Sequence, residues 1–414
     1  MLVAMLDGFD TQAVAFVGPS LLGHWKLSMA TLGSLFSATL LGTALGAILF
    51  GRLSDRFGRR LLMAAGLALF GAMTLGSAMS GGPESLLILR VLAGLGLGGA
   101  IPSLLAFVAE YSPSRSRSTL IVVCMWGYPA GGALGGLLSI HLIQAYGWQS
   151  VFWVGGLMPT ILAPLILAFM PESVRYLASR KRLDEVRRII KQINPAYVAS
   201  GNIERPVDPA ETSHAPLRAV LFGNFASSTY LLGGSLFLSL LLSYFLVNWA
   251  PTLLHEIGLP LAAAISATVT LNLAGILGSF VLCRAIDHQR RDPRIMGGGF
   301  LVAAIASASI GRFGTSPYEA LLTIAVVGFF LVGSQMALTA YTATHYPLPV
   351  RATAIGVTQA MGRTGSVVGP LLAGLLLRTR LSPQQVLHLG AIPATLAAFL
   401  LIAMRPQRAT ANPA

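Results

Sequence analysis

Apolar runs of roughly 20 residues, the length a helix needs to cross a hydrocarbon core, alternate with short polar breaks along most of the chain. The pattern predicts twelve spans, at 1–22, 30–50, 61–80, 86–109, 119–143, 151–170, 228–250, 262–283, 295–312, 319–343, 353–377 and 385–404. One long polar stretch, about 171–217, interrupts them. Within it Leu183, Val186, Ile189, Ile190 and Ile193 recur at helical spacing with Arg and Lys between them, which predicts a short amphipathic helix in a linker.

Six spans, a linker and six more suggest duplication. Glu110-Tyr111 aligns with His345-Tyr346, and after a one-residue gap Arg117, Gly131 and Gly135 align with Arg351, Gly365 and Gly369. The expected fold class is therefore an all-α membrane protein. Its domains are a six-helix bundle over 1–170, the linker 171–217, a second bundle over 218–404 and a tail at 405–414. Parallel repeats of this kind place a substrate site between the halves near the midplane and expose it alternately by rocking.

Assigning the breaks to alternate sides collects Arg52, Arg56, Arg59, Arg60, Arg115, Arg117, Arg284, Arg290, Arg291, Arg294 and Arg351 on the side of the termini. The other side receives only Lys26, Arg312, Arg378 and Arg380. Such a bias predicts cytoplasmic termini in a plasma (inner) membrane. The net charge of +13 then reads as topology rather than as a nucleic-acid surface. With 54% hydrophobic and 10% charged residues, the composition excludes an ordinary soluble domain. Cys124 and Cys283 have no CxxC or His-rich neighbourhood, so no disulfide framework or metal site is expected. The first apolar stretch contains Asp7 and Asp10 and no small-residue cleavage site, so it reads as a retained span.

Gly51-Arg52-Leu53-Ser54-Asp55-Arg56-Phe57-Gly58-Arg59-Arg60, between spans two and three, resembles the corresponding loop of the major facilitator superfamily. Asp7-Gly8-Phe9-Asp10 followed by Pro19 resembles the first-span signature of that superfamily's aromatic acid/proton symporters. Similar to the same branch are Arg90 through Gly94, Gly96, Gly98, Gly99 and Pro102 to Glu110-Tyr111, then Gly127-Tyr128-Pro129, and Tyr346-Pro347 with Arg351, Gly362-Arg363-Thr364-Gly365 and Gly369-Pro370. The resemblance covers essentially the whole chain and implies a benzoate- or hydroxybenzoate-type substrate carried with protons. The loop after span eight departs from the pattern: it keeps Asp287 but not the DRxGRR order of that loop. Pro171-Glu172-Ser173 is shared with sugar porters and does not discriminate. Members of the family carry a longer segment ahead of the first span, so Met1 reads as a late start or a trimmed end.

Asp7 and Asp10, three apart, share a helix face, and two such carboxyls in a poorly solvated cavity cannot both ionise cheaply. That suits a proton-coupling pair; the bland alternative is a helix-end cap. Arg363 sits mid-span, where a guanidinium needs a wet cavity or a partner, and a substrate carboxylate or a structural ion pair would each serve. Arg90, one turn from the end of span four, either snorkels to the interface or draws anions into the cavity. Tyr128, Gln335 and Gln359 are candidates for lining a substrate pocket, with interhelical hydrogen bonding as the alternative. Asp55, Arg56, Arg59, Glu110, Arg117, Asp287 and Arg351 lie near the cytoplasmic helix ends and read as gating latches or as topological anchors.

No nucleophile set suggests an enzyme, and no cofactor is expected. The expected partners are an aromatic acid, protons and the bilayer, with no nucleic acid, and the chain is expected to be monomeric. The sequence therefore predicts a proton-coupled importer of an aromatic carboxylate. Its competitors are a proton-coupled exporter of drugs or sugars on the same fold, and a sensor that binds aromatic acids without moving them.

Overall fold

The structure is a computed structural model that describes residues 1–113, 115–193, 217–288, 292–310, 316–379 and 381–404. The side chains of Arg52, Asp55 and Asp287 lie outside that description, as do most of the linker and the tail at 405–414. The described residues form helices α1 Leu2–Trp25, α2 Met29–Phe57, α3 Arg59–Ala78, α4 Pro83–Tyr111, α5 Arg117–Met125, α6 Gly127–Tyr146 and α7 Gln149–Phe169. After the first six spans come α8 Val174–Ser179, α9 Leu183–Ile193 and α10 Leu217–Leu221. The remaining spans are α11 Ala226–Glu256, α12 Leu261–His288, α13 Arg294–Ser307, α14 Pro317–His345, α15 Leu348–Leu376, α16 Pro383–Leu389 and α17 Ala391–Ile402.

Twelve spans result when α5 joins α6 and α16 joins α17. Both joints have one cause: Pro129 cannot donate to the carbonyl of Met125, nor Pro393 to that of Leu389, so each helix breaks a turn earlier. By length and hydropathy, nine of the twelve qualify alone as membrane spans. Of the other three, α13 is short, while α1 and α15 carry the polar groups Asp7, Asp10, Gln12, Gln359 and Arg363.

Two compact units emerge. The first comprises Met1–Asp10, Ala38–Gly131 and Gln149–Ser213. Its core includes Met63, Leu67, Phe70, Leu97, Ala100, Leu104 and Ile166. Apolar burial gains little against lipid, so close van der Waals packing must hold such helices together. Accordingly α2 and α4 touch backbone to backbone: a Cβ added at Gly94 would strike the carbonyl of Thr39, and one at Gly98 that of Thr43.

The second unit comprises Thr11–Ser37, Gly132–Trp148 and His214–Ala414. It joins the later part of α1, the first part of α2 and the later part of α6, all from the first six spans, to the last six. Trp249 Nε1 donates to the Pro370 carbonyl at 3.0 Å, while Phe36 meets the Trp249 ring edge-on at 5.1 Å between centroids. Ser37 Oγ donates to the Val367 carbonyl at 2.9 Å.

Candidate functional site

In the first unit, α1, α3 and α4 converge on a fully buried ion pair. Arg90 and Asp10 are both 0% exposed, and Arg90 Nη1 donates to Asp10 Oδ1 at 2.9 Å. Span three supplies two hydroxyls one helical turn apart. Thr74 Oγ1 donates to Asp10 Oδ1 at 3.1 Å and accepts from Arg90 Nη2 at 2.9 Å, and Ser77 Oγ accepts from Arg90 Nε at 3.1 Å and Nη2 at 2.9 Å. The guanidinium lies over the Phe152 ring at 4.9 Å. Neither charge could stay in a low-dielectric interior without the other. Asp10 Oδ2 is buried and has no hydrogen-bond partner among the described residues.

This geometry revises the expected roles. Arg90 does not snorkel, because its guanidinium points inward to Asp10. Asp10 takes its counter-charge from span four, and Asp7, one turn earlier on α1, is partly buried. Thr74, Ser77 and Phe152 escaped the sequence reading; the only available signal was two hydroxyls at helical spacing within an apolar span.

A second cluster closes the end of the first unit where α2 turns into α3. Gly58 holds φ +95°, a conformation costly for any residue with a Cβ. The turn points the first amides of α3 at Glu172: Oε1 accepts from Arg59 N at 3.0 Å, Arg60 N at 3.1 Å and Ser173 N at 2.9 Å. Glu172 thus caps a helix N-terminus and complements its dipole. Arg59 pairs with Glu110, whose other oxygen accepts from Ser173 Oγ at 2.6 Å. Tyr111 Oη donates to the Glu172 carbonyl at 2.8 Å.

The structure thus brings together Arg59 and Glu110, two of the gating candidates, and Glu172 and Ser173, read as non-discriminating in sequence, hold the cluster together. Arg56 contributes its backbone carbonyl, which accepts from Tyr176 Oη at 3.4 Å and Arg180 Nη2 at 2.6 Å. Arg117 is exposed and has no ion pair among the described residues, so it does not join this cluster. Tyr128, also in this unit, is partly buried where its backbone abuts Gly8.

The remaining candidates lie in the second unit. Gln335 accepts from Ser243 Oγ at 2.7 Å, and Gln359 is partly buried. Arg363 is exposed, and no described residue bonds its guanidinium. It ends a stripe of exposed small residues, Ala352, Gly356 and Ala360, while Val368, Leu372 and Leu375 are exposed on another face of α15. Small residues around a cation suit a water-filled path, and branched aliphatics suit lipid. Arg351 Nε donates to the Tyr346 carbonyl at 3.0 Å, beside a Tyr346 hydroxyl 3.0 Å from Thr229 Oγ1. Burial raises the pKa of the Tyr346 phenol, and the Thr229 contact opposes that shift. Asp55 and Asp287 fall outside the described side chains.

Gln12 was also missed. Fully buried, it accepts from Asn272 Nδ2 at 2.8 Å, and Asn272 donates as well to the Thr268 carbonyl at 3.0 Å. Gly132 presses on the Gln12 amide so closely that a Cβ there would overlap it.

Comparison with known proteins agrees with the fold and with the resemblance to aromatic acid transporters. The Major Facilitator Superfamily model matches residues 1–291 and 231–414. The 4-hydroxybenzoate transporter PcaK of Acinetobacter baylyi is 35% identical over 406 residues, covering 97% of this chain and 88% of the relative. The gallate transporter of Pseudomonas putida is 32% identical over 415 residues, covering 100% and 92%. In three dimensions, the partially occluded inward-open xylose transporter XylE from E. coli superposes with a TM-score of 0.76 at 20% identity, over 98% of this chain and 97% of that one. The chain is thus a multi-pass membrane transporter and not an enzyme, and it belongs to the Major Facilitator Superfamily, within the family of its aromatic acid transporters.

Proposed function

We propose that the protein imports an aromatic carboxylate together with protons by alternating access, across a plasma membrane with both termini in the cytoplasm. The buried Asp10·Arg90 pair carries the coupling half of this reading. Protonating Asp10 removes the charge that compensates Arg90, so the pair is stable only when the carboxylate is ionised. A proton entering the site loosens the hold of α1 on α3 and α4, and one leaving restores it. Asp7, on the same helix, serves the same proton path.

Arg363 takes the substrate carboxylate, for which a guanidinium offers two parallel N–H donors. Gln335 and Gln359 shape the pocket for the ring. Two six-span halves, 1–170 and 218–404, rock about the site. The Arg59–Glu110–Glu172 cluster, with the Arg56 carbonyl beside it, latches the helix ends in one of the two states, and Asp55, Asp287 and Arg351 take gating roles as well. Relatives named for 4-hydroxybenzoate and gallate support the substrate class.

The test is uptake of radiolabelled benzoate and 4-hydroxybenzoate into proteoliposomes holding the purified chain. An imposed inward proton gradient should drive accumulation, and an uncoupler should abolish it. Binding without flux would mean a sensor. Gradient-driven loss of preloaded drugs or sugars, with no acid uptake, would mean an exporter.

A further inference from the structure

A cavity of about 740 Å³ in the first unit borders the Glu172 cluster but no residue of the Asp10·Arg90 site. Its walls are the end of α7, at Phe169 and Met170, the Arg60 side chain, and the face of α9 that carries Asp184, Arg188 and Ile189. The place is set by the span that ends there. α7 leaves the apolar core at Phe169, which is 81% exposed, so the cavity opens at headgroup depth. Helix α9 has the pattern of a helix lying in that interface: Val186 is 1% exposed, whereas Arg187, Arg188 and Lys191 are exposed.

The hydrogen-bonding state of the lining selects the ligand. Three carboxylates border the cavity, two of them engaged in hydrogen bonds and the third beside an arginine. Glu172 accepts three backbone amides, Glu185 accepts from Arg182 Nε at 2.7 Å, and Asp184 stands 3.8 Å from Arg187. The guanidiniums are less satisfied. Arg60 Nη2 donates to the Leu167 carbonyl, but its Nε is buried with no partner among the described residues. Arg188 has no ion pair among the described residues.

We propose that this cavity binds the phosphodiester headgroup of a membrane phospholipid, held by Arg60 and Arg188 while the acyl chains run along α7 past Phe169. Guanidinium donors with unused N–H groups call for an oxyanion, and the nearby carboxylates disfavour a headgroup bearing several phosphates. A lipid supplies both the phosphate and the apolar tails that Phe169 and Met170 would meet.

Native mass spectrometry of the purified full chain tests this with three probes: phosphatidylglycerol, glucosyl-diacylglycerol with the same tails, and inorganic phosphate. Wild type should retain phosphatidylglycerol more tightly than either of the others. Arg188→Gln, an exposed position, should weaken retention about tenfold, the loss expected for one charge-assisted contact. Arg115→Gln, an exposed arginine elsewhere, should not. Arg60→Gln should weaken retention too, with thermal unfolding run alongside because Arg60 also binds the end of α7.

Equal retention of the glucolipid would reduce the site to general annular contact and overturn the proposal. Retention of inorganic phosphate as tight as that of phosphatidylglycerol would mean an adventitious ion only. Arg188→Gln behaving as wild type would overturn it as well. None of these outcomes depends on which substrate the protein carries.

Discussion

Asn272 Nδ2 donates to the Gln12 carboxamide oxygen at 2.8 Å, tying α1, in the first six spans, to α12, in the last six. Both side chains are buried, and the Gln12 amide nitrogen has no partner among the described residues. Any state in which α1 and α12 part must break this bond, and water entering would then satisfy the groups left unpaired. The bond is hence a weak clasp. Its net worth is on the order of 1 kcal/mol, severalfold in a two-state population.

Gln12→Leu should therefore favour opening of this contact. The measurement is labelling of a Ser139→Cys reporter, whose parent hydroxyl is buried without a partner among the described residues. A membrane-impermeant maleimide added from the face away from the termini should react severalfold faster in the Gln12→Leu background. An unchanged rate would show that the bond does not restrain the helices.

Asp10→Asn should abolish proton-driven accumulation while leaving counterflow of the acid measurable, since the neutral amide cannot cycle a proton. Arg90→Ala is a stability experiment. It leaves Asp10 charged and buried beside Thr74, so we expect a loss of about 3–5 kcal/mol in thermal unfolding. Combining Asp10→Asn with Arg90→Ala should recover part of that loss, as expected for residues in direct contact.

Gly58→Ala should destabilise the α2–α3 turn by about 1–2 kcal/mol, because a Cβ is strained at φ +95° and would press on Glu172 Oε2. Glu172→Ala should cost a similar about 0.5–2 kcal/mol as a lost helix cap. Glu110→Gln, at a pair about one-fifth exposed, should cost roughly 1 kcal/mol or less. Unfolding midpoints in one detergent rank the three. A Glu110→Gln loss larger than that of Glu172→Ala would contradict the ordering.

Arg363→Lys should raise the KM for 4-hydroxybenzoate far more than an ordinary conservative change, since an ammonium cannot reproduce the two-pronged contact with a carboxylate. Arg363→Ala should remove uptake, leaving unfolding close to wild type because the side chain is exposed and unbonded among the described residues. Normal transport by either variant would remove Arg363 from the substrate site.

Twelve spans, an amphipathic linker helix and the polar character of α1 and α15 were all legible in the sequence, because lipid enforces them locally. A segment of about 20 apolar residues has no alternative to a helix when no water can satisfy its backbone. An ionisable side chain within such a segment marks itself, whatever its neighbours. Which side chain meets which was another matter. Asp10 pairs with Arg90 across 80 positions, and Gln12 meets Asn272 across 260. Neither partner carries local information about the other, because the helical repeat specifies only which residues share a face of their own helix. Glu172 makes the same point: in sequence it belongs to a common tripeptide, and only the return of the chain to Gly58 gives it three amides to bind. Helix packing, set by where glycines let backbones touch, decided those meetings, and with them which buried charges were compensated.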